Sequence, residues 1–562
     1  MRTFHFILTV SIFFTIQATS KTFYLDPVNG SMSNNGSSAS PWTTVQAVID
    51  AGLIETYYPA KFPYHEGDSL KLINPGAPVK SGDTLMCRTG YYGSLTISKL
   101  FNTDYITICA ESGHKPVFKN IAFVGAKYWR ISGVTVTPSS APEYQRNTLI
   151  FIDWHNWSGP VTYITVENCY LYSVEDASQW NNSQWDTLSC TAITSEGKHV
   201  IIRNNYCKNV NFGITSSGDS CLIEYNTIEN FAGDGLRGLG DYNVFQYNVV
   251  KNCYAVNSNH DDGFQSWSVN DSGVVAVDTV WGMVLRGNVI INYEDPNQPY
   301  KGALQGIGCF GGFYADWIVE NNVVIVDNYH GITLSGAINC RIINNTVADI
   351  DTLTDMGPYI KIVNHRYGGL STGCVIRNNI YYSTLIHEGQ DHKVDHNLQI
   401  KDYQNNYMDF STFDLRLKKG SAAIDAGSSE LAPSIDVRGI ARPQGIGWDI
   451  GAYEYFEDSQ VDGEVDIPRI SNLSQNYPNP FNPRTKITYT VVETRQAVFL
   501  RVYDILGREI ATLVDDIQPA GTYAVEWDGT NSAGQHVSSG IYFYQLKTSS
   551  GYSATKKMLL LK

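Results

Sequence analysis

The sequence predicts an all-β protein: a right-handed parallel β-helix with a short N-terminal capping helix, followed by a small C-terminal β-sandwich. Three observations support this prediction. A short unit of β-branched residues recurs with an asparagine at a fixed place, only 17% of the residues are charged, and glycine and tyrosine are abundant, at 48 and 36 of 562 residues. Low charge with many turn-forming, aromatic and β-branched residues favours many short strands over helices.

The repeated unit begins at about residue 160 and consists of a strand, an asparagine, a second strand and a turn. Its closest copies are 21, 22 and 23 residues apart, about one coil of a β-helix, and spacings of 34, 37 and 40 leave room for inserted loops. A leucine-rich repeat would need leucines at fixed offsets and a helical return, and neither occurs. An asparagine at the same turn of every coil can hydrogen-bond its neighbours above and below. The aligned residues are Asn168, Asn205, Asn226, Asn248, Asn288, Asn322, Asn345 and Asn379.

Both ends of the predicted β-helix carry segments that close it. A Gly/Ser-rich turn leads to a helical stretch at 44–51, which resembles the N-terminal cap of secreted β-helix proteins. Residues 415–455 resemble the closing segment at the C-terminal end of many exported β-helix proteins. Such caps are expected because an open end exposes apolar surface and strand edges.

The domain boundaries follow from composition. Residues 1–20 read as a signal peptide, with Arg2 before an apolar stretch at 6–16 and a small-residue cleavage site at 18–20. That stretch is far shorter than the roughly 20 residues that a membrane span needs. The β-helix domain then covers 21–455, an acidic linker 456–470, and a separate domain 471–562.

The final domain carries LSQNYPNPFNP at 473–483, VYDILGREIATL at 502–513 and GTYAVEWDGTNSAGQHVSSGIYFYQL at 521–546. These motifs resemble the sorting domain of type IX secretion substrates. The resemblance implies the type IX secretion machinery as a partner, and release from the cell or attachment to its surface. Independently, alternating apolar strands and Gly/Pro turns predict a β-sandwich.

Charge and cysteine usage limit the partners. A formal net charge of −15 and a pI near 5.2 argue against nucleic acid, whereas an acidic polysaccharide would need a local basic patch or a bridging cation such as Ca²⁺. Ten cysteines form neither a CxxC pair nor a Cys/His cluster at zinc spacing. Cys340 and Cys374 share a phase in neighbouring repeats, so a disulfide between them is possible. The sequence predicts a soluble monomer without a membrane span.

Function in a β-helix is expected where outward residues align from coil to coil, because successive coils lie only about 4.8 Å apart. In the strand before each asparagine unit we take the apolar residue as inward and the next residue as outward. A shift by one position would bury Arg, Gln and Lys, which is costly. The predicted outward column is Thr194, Thr215, Arg237, Gln265, Gln305, Thr333, Lys361 and His387.

Charged residues cluster just before three of these strands. Asp234, Asp262 and His330 each precede a glycine, and His260 and Asp261 precede Asp262. Each residue alone fits an ordinary turn or surface position, but together on neighbouring coils they predict a site. An insert at 154–185 adds tryptophans that either stack on sugar rings or anchor a long loop. They are Trp154, Trp157, Trp180 and Trp185.

The repeats and polar groove resemble the pectate-lyase-like superfamily of secreted polysaccharide lyases, although no motif set of a single lyase family is complete. The resemblance implies β-elimination on a uronate-containing polysaccharide, or the related C5-epimerisation, with Arg or Lys as base and acidic residues holding Ca²⁺. Arg237 is then the best-placed base, with Lys361 or His260 as alternatives. The predicted catalytic residues are Arg237, His260, Asp262 and His330; the substrate-binding residues are Gln265, Trp267, Gln305, Lys361, Trp180 and Trp185; the metal ligands are Asp234 and Asp261, with Asp262 available.

Two alternatives stay open. The chain also resembles polygalacturonase-type hydrolases, whose carboxylates lie on successive coils before a Gly-His-Gly and an Arg-Ile-Lys motif. It departs from that pattern in having Tyr359 in place of the arginine and an extra coil, ALQGIG, which would put His330 about 10 Å above the aspartate pair. The other alternative is a non-catalytic carbohydrate-binding adhesin, because the fold alone implies no chemistry.

Overall fold

The computed structural model describes residues 20–270, 272–351, 357–456, 472–473, 476, 478–491, 496–505, 507–518, 521–532, 535–548 and 553–561. The predicted signal peptide lies outside these residues except for Ser20, and the predicted linker lies outside them except for Phe456. Within the described residues, no helix is long and apolar enough to cross a membrane.

The main domain is a parallel β-helix, as the sequence predicts. Each regular coil contributes three short strands, and each strand pairs in parallel with its counterpart on the next coil, so the helix has three faces. Two long strands, Gly90–Ala110 and Pro116–Ser132, bend around the corners and join the faces into one 34-stranded sheet.

The first face bears the candidate site. Besides the relevant parts of the two long strands, it consists of Thr148–Asp153, Thr191–Ser195, Ile214–Ser216, Leu236–Gly238, Asp262–Trp267, Gln305–Gly311, His330–Ser335, Tyr359–Val363 and Leu385–His387.

The other two faces complete each coil. The second face consists of Thr22–Leu25, Thr84–Cys87, Val161–Glu167, Ile201–Arg203, Leu222–Glu224, Val244–Gln246, Val284–Arg286, Ile318–Glu320, Arg341–Ile343, Val375–Arg377 and Lys393–Asp395. The third face consists of Thr135–Val136, Tyr170–Tyr172, Tyr206–Val210, Thr227–Phe231, Val249–Cys253, Val289–Ile291, Val323–Val326, Thr346–Asp349, Ile380–Tyr381 and Leu398–Gln399.

Smaller elements decorate the helix. The predicted cap is confirmed as helix Val45–Asp50, whose Val45 and Val48 are fully buried. The remaining elements are helices Asn182–Leu188 and Tyr403–Asn406, the 3₁₀ turns Pro138–Ser140 and Phe410–Thr412, the hairpins Thr56–Pro59 with Leu70–Ile73 and Tyr407–Asp409 with Asp414–Leu417, and a small parallel sheet of Thr279–Trp281, Phe313–Ala315 and Ala337–Ile338.

The C-terminal domain is a β-sandwich, which confirms the prediction for its fold. Its two antiparallel sheets enclose a core that includes Tyr489, Trp527 and Tyr544. One sheet has the strands Asn472–Leu473, Thr485–Val491 and Gly521–Trp527. The other has Gln496–Tyr503, Glu509–Gln518, Gly540–Thr548 and Ser553–Leu560.

A ladder of buried asparagines stabilises the turn between the second and third faces. In each step the Oδ1 atom of one asparagine accepts hydrogen bonds from both the backbone N–H and the Nδ2 of the asparagine one coil earlier, as Asn288 does from Asn248 at 3.1 and 3.0 Å. The residue before each ladder position adopts a left-handed conformation, for example Asn204 with φ 54°. The ladder runs from Asn205 to Asn379 as predicted and continues to Asn397.

Asn168 is the exception, and its predicted place in the ladder is wrong. Cys169 occupies the equivalent position, where its backbone N–H donates to Asn205 Oδ1 at 3.0 Å. Asn168 is the left-handed residue before it, with φ 56°. The pair Asn204-Asn205 shows why the error arose, because asparagine suits both the left-handed position and the ladder position that follows it.

The ten cysteines are all free thiols. Cys340 and Cys374 do lie on adjacent coils and their side chains hydrogen-bond each other, so the shared phase was correct, but no disulfide joins them. Both thiols are fully buried, and they pack as small apolar groups in the core.

We predict that Asn288→Ala lowers the free energy of unfolding by about 2 to 4 kcal/mol, because it leaves buried donors of Asn248 and the carbonyl of Phe245 without partners. Denaturant unfolding measures this change. Asn297→Ala, in an exposed loop of the same coil, is the matched control and should stay within about 0.5 kcal/mol of the parent. Equal stability of the two variants would contradict a stabilising ladder.

Candidate active site

Two parallel columns of side chains cover the outer surface of the first face. They arise because successive strands begin with the same four-residue pattern: a large side chain, glycine, an inward apolar residue and an outward residue. The first position forms an edge column of Phe212, Asp234, Asp262, Gln305 and His330. The fourth forms a central column of Thr215, Arg237, Gln265, Gly308 and Thr333. Tyr359 and Lys361 continue the two columns on the next coil.

The glycine of each pattern is required by packing. A Cβ atom on Gly235 would lie 2.3 Å from Val250, one on Gly263 2.4 Å from Ile290, and one on Gly331 2.5 Å from Val347. Any side chain at these glycine positions would therefore point into the core and clash with the third face. Because glycine allows this tight turn, the residue before it returns to the outer surface beside the residue three positions later.

Side chains three residues apart consequently meet across the two columns. Arg237 Nε donates to Asp234 Oδ2 at 2.5 Å, and Gln265 Nε2 donates to Asp262 Oδ2 at 2.9 Å. His330 Nδ1 lies 3.1 Å from Thr333 Oγ1. These three coils thus each carry one hydrogen-bonded polar pair, whereas the described coil of Gln305 and Gly308 carries none.

The predicted outward column is confirmed at Thr194, Thr215, Arg237, Gln265, Thr333 and Lys361 and is wrong at two positions. Gln305 pairs with Asp262 in the edge column, and Gly308 takes its expected place opposite Gln265. Ile386, not His387, aligns with Lys361. Both errors have the same cause, because two apolar residues in each segment suit the inward position. We chose Leu304 and Ile386, whereas Ile307 and Leu385 align with the inward residues of the neighbouring coils.

Gly308 contributes no side chain to the central column, and neighbouring side chains fill the space beside it; we call this position the Gly308 gap. A Cβ atom on Gly308 would lie 2.1 Å from Asp262 Oδ1 and 3.0 Å from both Gln305 Oε1 and Phe310 Cε2. These two oxygens are buried and have no hydrogen-bond partner in the described structure. Below the gap lie Asp234, Arg237, His260, Asp262 and Gln265; above it lie His330, Thr333, Tyr359 and Lys361.

The group below the gap is acidic and desolvated. Asp234, Asp261 and Asp262 are 3%, 6% and 0% exposed. Burial raises the pKa of Asp261 and of Asp262 to about 7, and it raises the pKa of Asp234 even though Arg237 opposes it. These carboxyl groups therefore hold protons at a higher pH than ordinary aspartates do.

His260 is the solvent-facing member of this group, with 64% of its side chain exposed. Its Nδ1 lies 3.0 Å from Asp262 Oδ2. The hydrogen bond to Asp262 raises the pKa of His260 above its usual 6.5. His260 is consequently poised to carry a proton near neutral pH.

In the group above the gap, the histidine pKa is lowered and not raised. Burial, followed by the positive charges of Lys361 and His260, lowers the pKa of His330 to about 4. Tyr359 Oη lies 2.7 Å from His330 Nδ1, and burial raises the pKa of Tyr359 to about 12. Phe310 packs edge-on against the imidazole with 4.7 Å between ring centroids. His330 is therefore neutral at pH 7 and beside a phenol that holds its proton.

Two imidazoles with opposite pKa shifts thus flank the Gly308 gap, and they are close enough for the charge of His260 to affect His330. A pair of titratable groups pushed apart in this way is the usual signature of an acid and a base acting on one substrate. The arrangement can donate a proton from one side of the gap and accept one from the other.

Trp180 and Trp185 do not line the groove. Trp185, on helix Asn182–Leu188, is 2% exposed and stacks on Tyr254 with 4.4 Å between ring centroids, and Trp180 packs against it at 5.4 Å. Val256 belongs to the same apolar cluster. This cluster anchors the segment that leads to His260, so the loop-anchoring alternative is the correct one for both tryptophans.

The Arg237 guanidinium is fixed by one carboxylate and two aromatic rings. Besides its ion pair with Asp234, its guanidinium lies 3.9 Å from the ring centroid of Phe212 and 5.4 Å from that of Trp267. Trp267 therefore borders the groove next to Arg237, as expected of a substrate-binding residue. Lys361 lies in the central column with its Nζ 5.5 Å from the Tyr359 ring centroid.

The predicted calcium ligands are partly engaged within the protein, although Asp261 Oδ1 is buried without a hydrogen-bond partner in the described structure. Asp234 already accepts hydrogen bonds from Arg237 on Oδ2 and from the backbone N–H of Asp262 on Oδ1. Asp261 Oδ2 contacts the thiol of Cys253 at 3.6 Å. Among the described residues, no three His, Cys, Asp or Glu side chains form a metal-binding group. Their geometry assigns these carboxylates to the ion pair and the buried acid cluster.

Sequence reasoning missed four contributors: Phe212, Gly308, Phe310 and Tyr359. The signal for the first two was the recurring four-residue pattern with its glycine, read as FGIT, DGLR, DGFQ, QGIG and HGIT. Tyr359 was noted only as a departure from an arginine motif, and no local pattern marks Phe310.

We predict that Gly308→Ala displaces the Asp262 carboxylate, because the new Cβ would lie 2.1 Å from Oδ1. The hydrogen bond that raises the pKa of His260 is then weakened, so its pKa falls towards 6.5 in an NMR titration, and any turnover falls about 100-fold. Gly540→Ala is the control, since its Cβ meets no atom within 4 Å. An unchanged His260 titration in Gly308→Ala would contradict this geometry.

Comparisons with known proteins give a family match for the C-terminal domain and low-scoring structural matches for the chain as a whole. Residues 482–551 match the FlgD Ig-like domain family, in agreement with the C-terminal sandwich. No curated protein matches the sequence significantly. Among solved structures, the PL6 family alginate lyase AlyGC aligns at 13% identity over 58% of this chain and 49% of its own, with a TM-score of 0.34. This chain therefore spans about half the length of that lyase.

Two further structures have comparable scores. The A-module of the mannuronan C-5 epimerase AlgE6 of Azotobacter vinelandii aligns at 13% identity over 56% of this chain and 90% of its own, with a TM-score of 0.29. The tailspike protein of E. coli bacteriophage HK620, in complex with a pentasaccharide, aligns at 11% identity over 91% and 98%, also with a TM-score of 0.29. Scores this low carry no argument about reaction or substrate, which rest on the site geometry.

Proposed function

We propose that this protein is a polysaccharide lyase that cleaves a uronate-containing polymer by β-elimination at the Gly308 gap. The observation that carries the proposal is the pair of imidazoles with opposite pKa shifts on the two sides of the gap. β-Elimination needs a base for the C5 proton, an acid for the leaving oxygen and a cation for the sugar carboxylate. The described residues supply a candidate for each role.

The couple of His330 and Tyr359 acts as the base. Neutral His330 accepts the C5 proton directly, or Tyr359 takes it while passing its own phenol proton to His330 across their 2.7 Å contact. The electron pair of the C5–H bond forms the C4–C5 double bond while the C4–O bond breaks, and protonated His260 gives its proton to the departing oxygen. Lys361 and Arg237 lie in the central column, where they can bind substrate carboxylates.

A C5-epimerase is the second candidate, and the same pair of histidines favours it. If protonated His260 returned a proton to C5 from the side opposite His330, the sugar would be inverted without cleavage. The hydrolase is less well supported. Asp234 is held by Arg237 and by the backbone N–H of Asp262, and Asp261 contacts the Cys253 thiol, so these carboxylates are engaged within the protein.

We also propose that the protein is exported. The signal-peptide pattern of residues 1–20 and the type IX sorting motifs of the C-terminal domain support this proposal. In that case the substrate is an extracellular polysaccharide, and the C-terminal sandwich serves as an address with no part in the reaction.

The reaction is tested by incubating the protein with alginate, polygalacturonate and glucuronan while following the absorbance of the new double bond. We expect His330→Gln and Tyr359→Phe each to lower kcat by about 100-fold or more, because each removes half of the base couple. His65→Gln is the matched control, since its imidazole contacts only Asp68 on an exposed hairpin. New reducing ends without absorbance would show hydrolysis, C5 inversion without cleavage would show epimerisation, and binding without turnover would show an adhesin.

The pH profile of kcat/KM should be bell-shaped. Activity rises with pH as His330, with its pKa of about 4, loses its proton, and falls again above pH 6.5 as His260 loses its proton. Asp262→Asn removes the carboxylate that raises the pKa of His260, so it should move only the alkaline limb, towards lower pH. An alkaline limb unaffected by Asp262→Asn would exclude His260 as the acid.

A further inference from the structure

A second cluster of aromatic and cationic side chains lies over the N-terminal coils, away from the Gly308 gap. We call it the aromatic–lysine patch, and it comprises Tyr58, Phe62, Lys71, Lys99, Lys127, Tyr128, Trp157 and Tyr163. The hairpin Thr56–Pro59 with Leu70–Ile73 crosses the coil here by pairing Tyr57 with Phe101. Phe101 in turn pairs with Lys127 on the next coil, so the patch is continuous.

The patch is built to hold one large aromatic side chain outward. The backbone N–H of Tyr64 donates to the carbonyl of Trp157 at 3.1 Å. A Cβ on Gly159 would lie 2.2 Å from the Tyr64 ring, so only glycine permits this close approach of loop and hairpin. Trp157 stacks on Phe62 with 5.8 Å between centroids and 11° between planes, yet it remains 55% exposed. The indole is thus positioned by the protein and available to a ligand.

Three lysines surround these rings. Lys71 Nζ lies 5.7 Å from the Tyr58 ring centroid, Lys99 Nζ 5.6 Å from that of Phe62, and Lys127 Nζ 5.0 Å from that of Tyr128. In the described part of the chain none of the three forms an ion pair. Lysines elsewhere do pair with carboxylates, among them Lys80, Lys198 and Lys251.

The three lysines lie unpaired in a chain whose net charge is −15. They leave a local positive potential where the rest of the protein repels anions. An exposed indole offers a flat face for the apolar side of a sugar ring. Three lysines without an arginine are few for nucleic acid, whose binding depends on neutralising many phosphates. The combination fits an acidic sugar chain better.

We propose that the aromatic–lysine patch is a second, non-catalytic binding site for an anionic polysaccharide. The sugar ring stacks on Trp157, and its carboxylate or sulfate groups meet Lys71, Lys99 and Lys127. The Gly308 gap lies five coils beyond the strand that precedes Trp157, Thr148–Asp153, about 24 Å at one strand spacing per coil, so one polymer chain can span both sites. The proposal stands whether or not the reaction at the gap is β-elimination.

The test is native affinity electrophoresis of the full chain in gels that contain alginate, polygalacturonate or neutral dextran. All proteins carry His330→Gln, so that no polymer is degraded during the run. The anionic gels should retard the parent and dextran should not. Trp157→Ala, and separately the triple variant Lys71→Gln, Lys99→Gln, Lys127→Gln, should raise the apparent Kd at least 5-fold. The triple variant keeps the aromatic packing. Weaker binding by this variant therefore cannot be attributed to unfolding of the loop, as it could be in Trp157→Ala.

The matched control is Lys115→Gln, Lys208→Gln, Lys547→Gln, which changes the net charge equally at sites without a ring contact. It should bind as the parent does. Equal retardation of the two triple variants would overturn the proposal, and so would tighter binding of the parent to single-stranded DNA than to either uronate polymer. Because binding is measured on a chain that does not turn over, failure of the lyase assay would leave this result unaffected.

Discussion

The structure depends on the asparagine ladder between its second and third faces. From Asn226 to Asn397 the Oδ1 atom of each ladder asparagine accepts two hydrogen bonds from the asparagine one coil earlier, so these buried amides keep their hydrogen bonds. An amide side chain reaches only the next coil, which keeps the coils one strand spacing apart. Loops can therefore be inserted between coils, as between Asn248 and Asn288, without changing the register.

Because the coil spacing is constant, the recurring four-residue pattern of the sequence places like positions side by side on the first face. Glycines that pack against the third face return Asp234, Asp262 and His330 to the outer surface, each beside the residue three positions later. The single missing side chain, at Gly308, lets the Asp262 carboxylate approach the backbone of the next coil and separates the two polar groups. The two imidazoles at that gap differ because one contacts a carboxylate while exposed and the other is buried beside a cation.

The distribution of charge connects the two proposed binding surfaces. The protein is strongly acidic, yet Arg237 and Lys361 lie in the groove, and Lys71, Lys99 and Lys127 lie unpaired over aromatic rings near its N-terminal end. Acidic surface elsewhere repels an anionic polymer, so these few cations define the path along which such a polymer can lie. Trp157, which is 55% exposed, offers this path a flat ring face in addition to the charges.

The repeat pattern was enough to predict the β-helix and most of the outward column, because a period of one coil and alternation along each strand are local properties. The cap was expected from a resemblance, and the sandwich from alternating apolar strands with Gly/Pro turns. The repeat pattern failed where two residues fit one position: Asn168 beside Cys169, Leu304 three residues before Ile307, and Leu385 beside Ile386. The packing of successive coils decided those cases. It also determined that Trp185 is buried as a loop anchor and that Asp234 forms an ion pair with Arg237. The pKa contrast between His260 and His330 likewise comes from burial and neighbours on other coils, which no local pattern encodes.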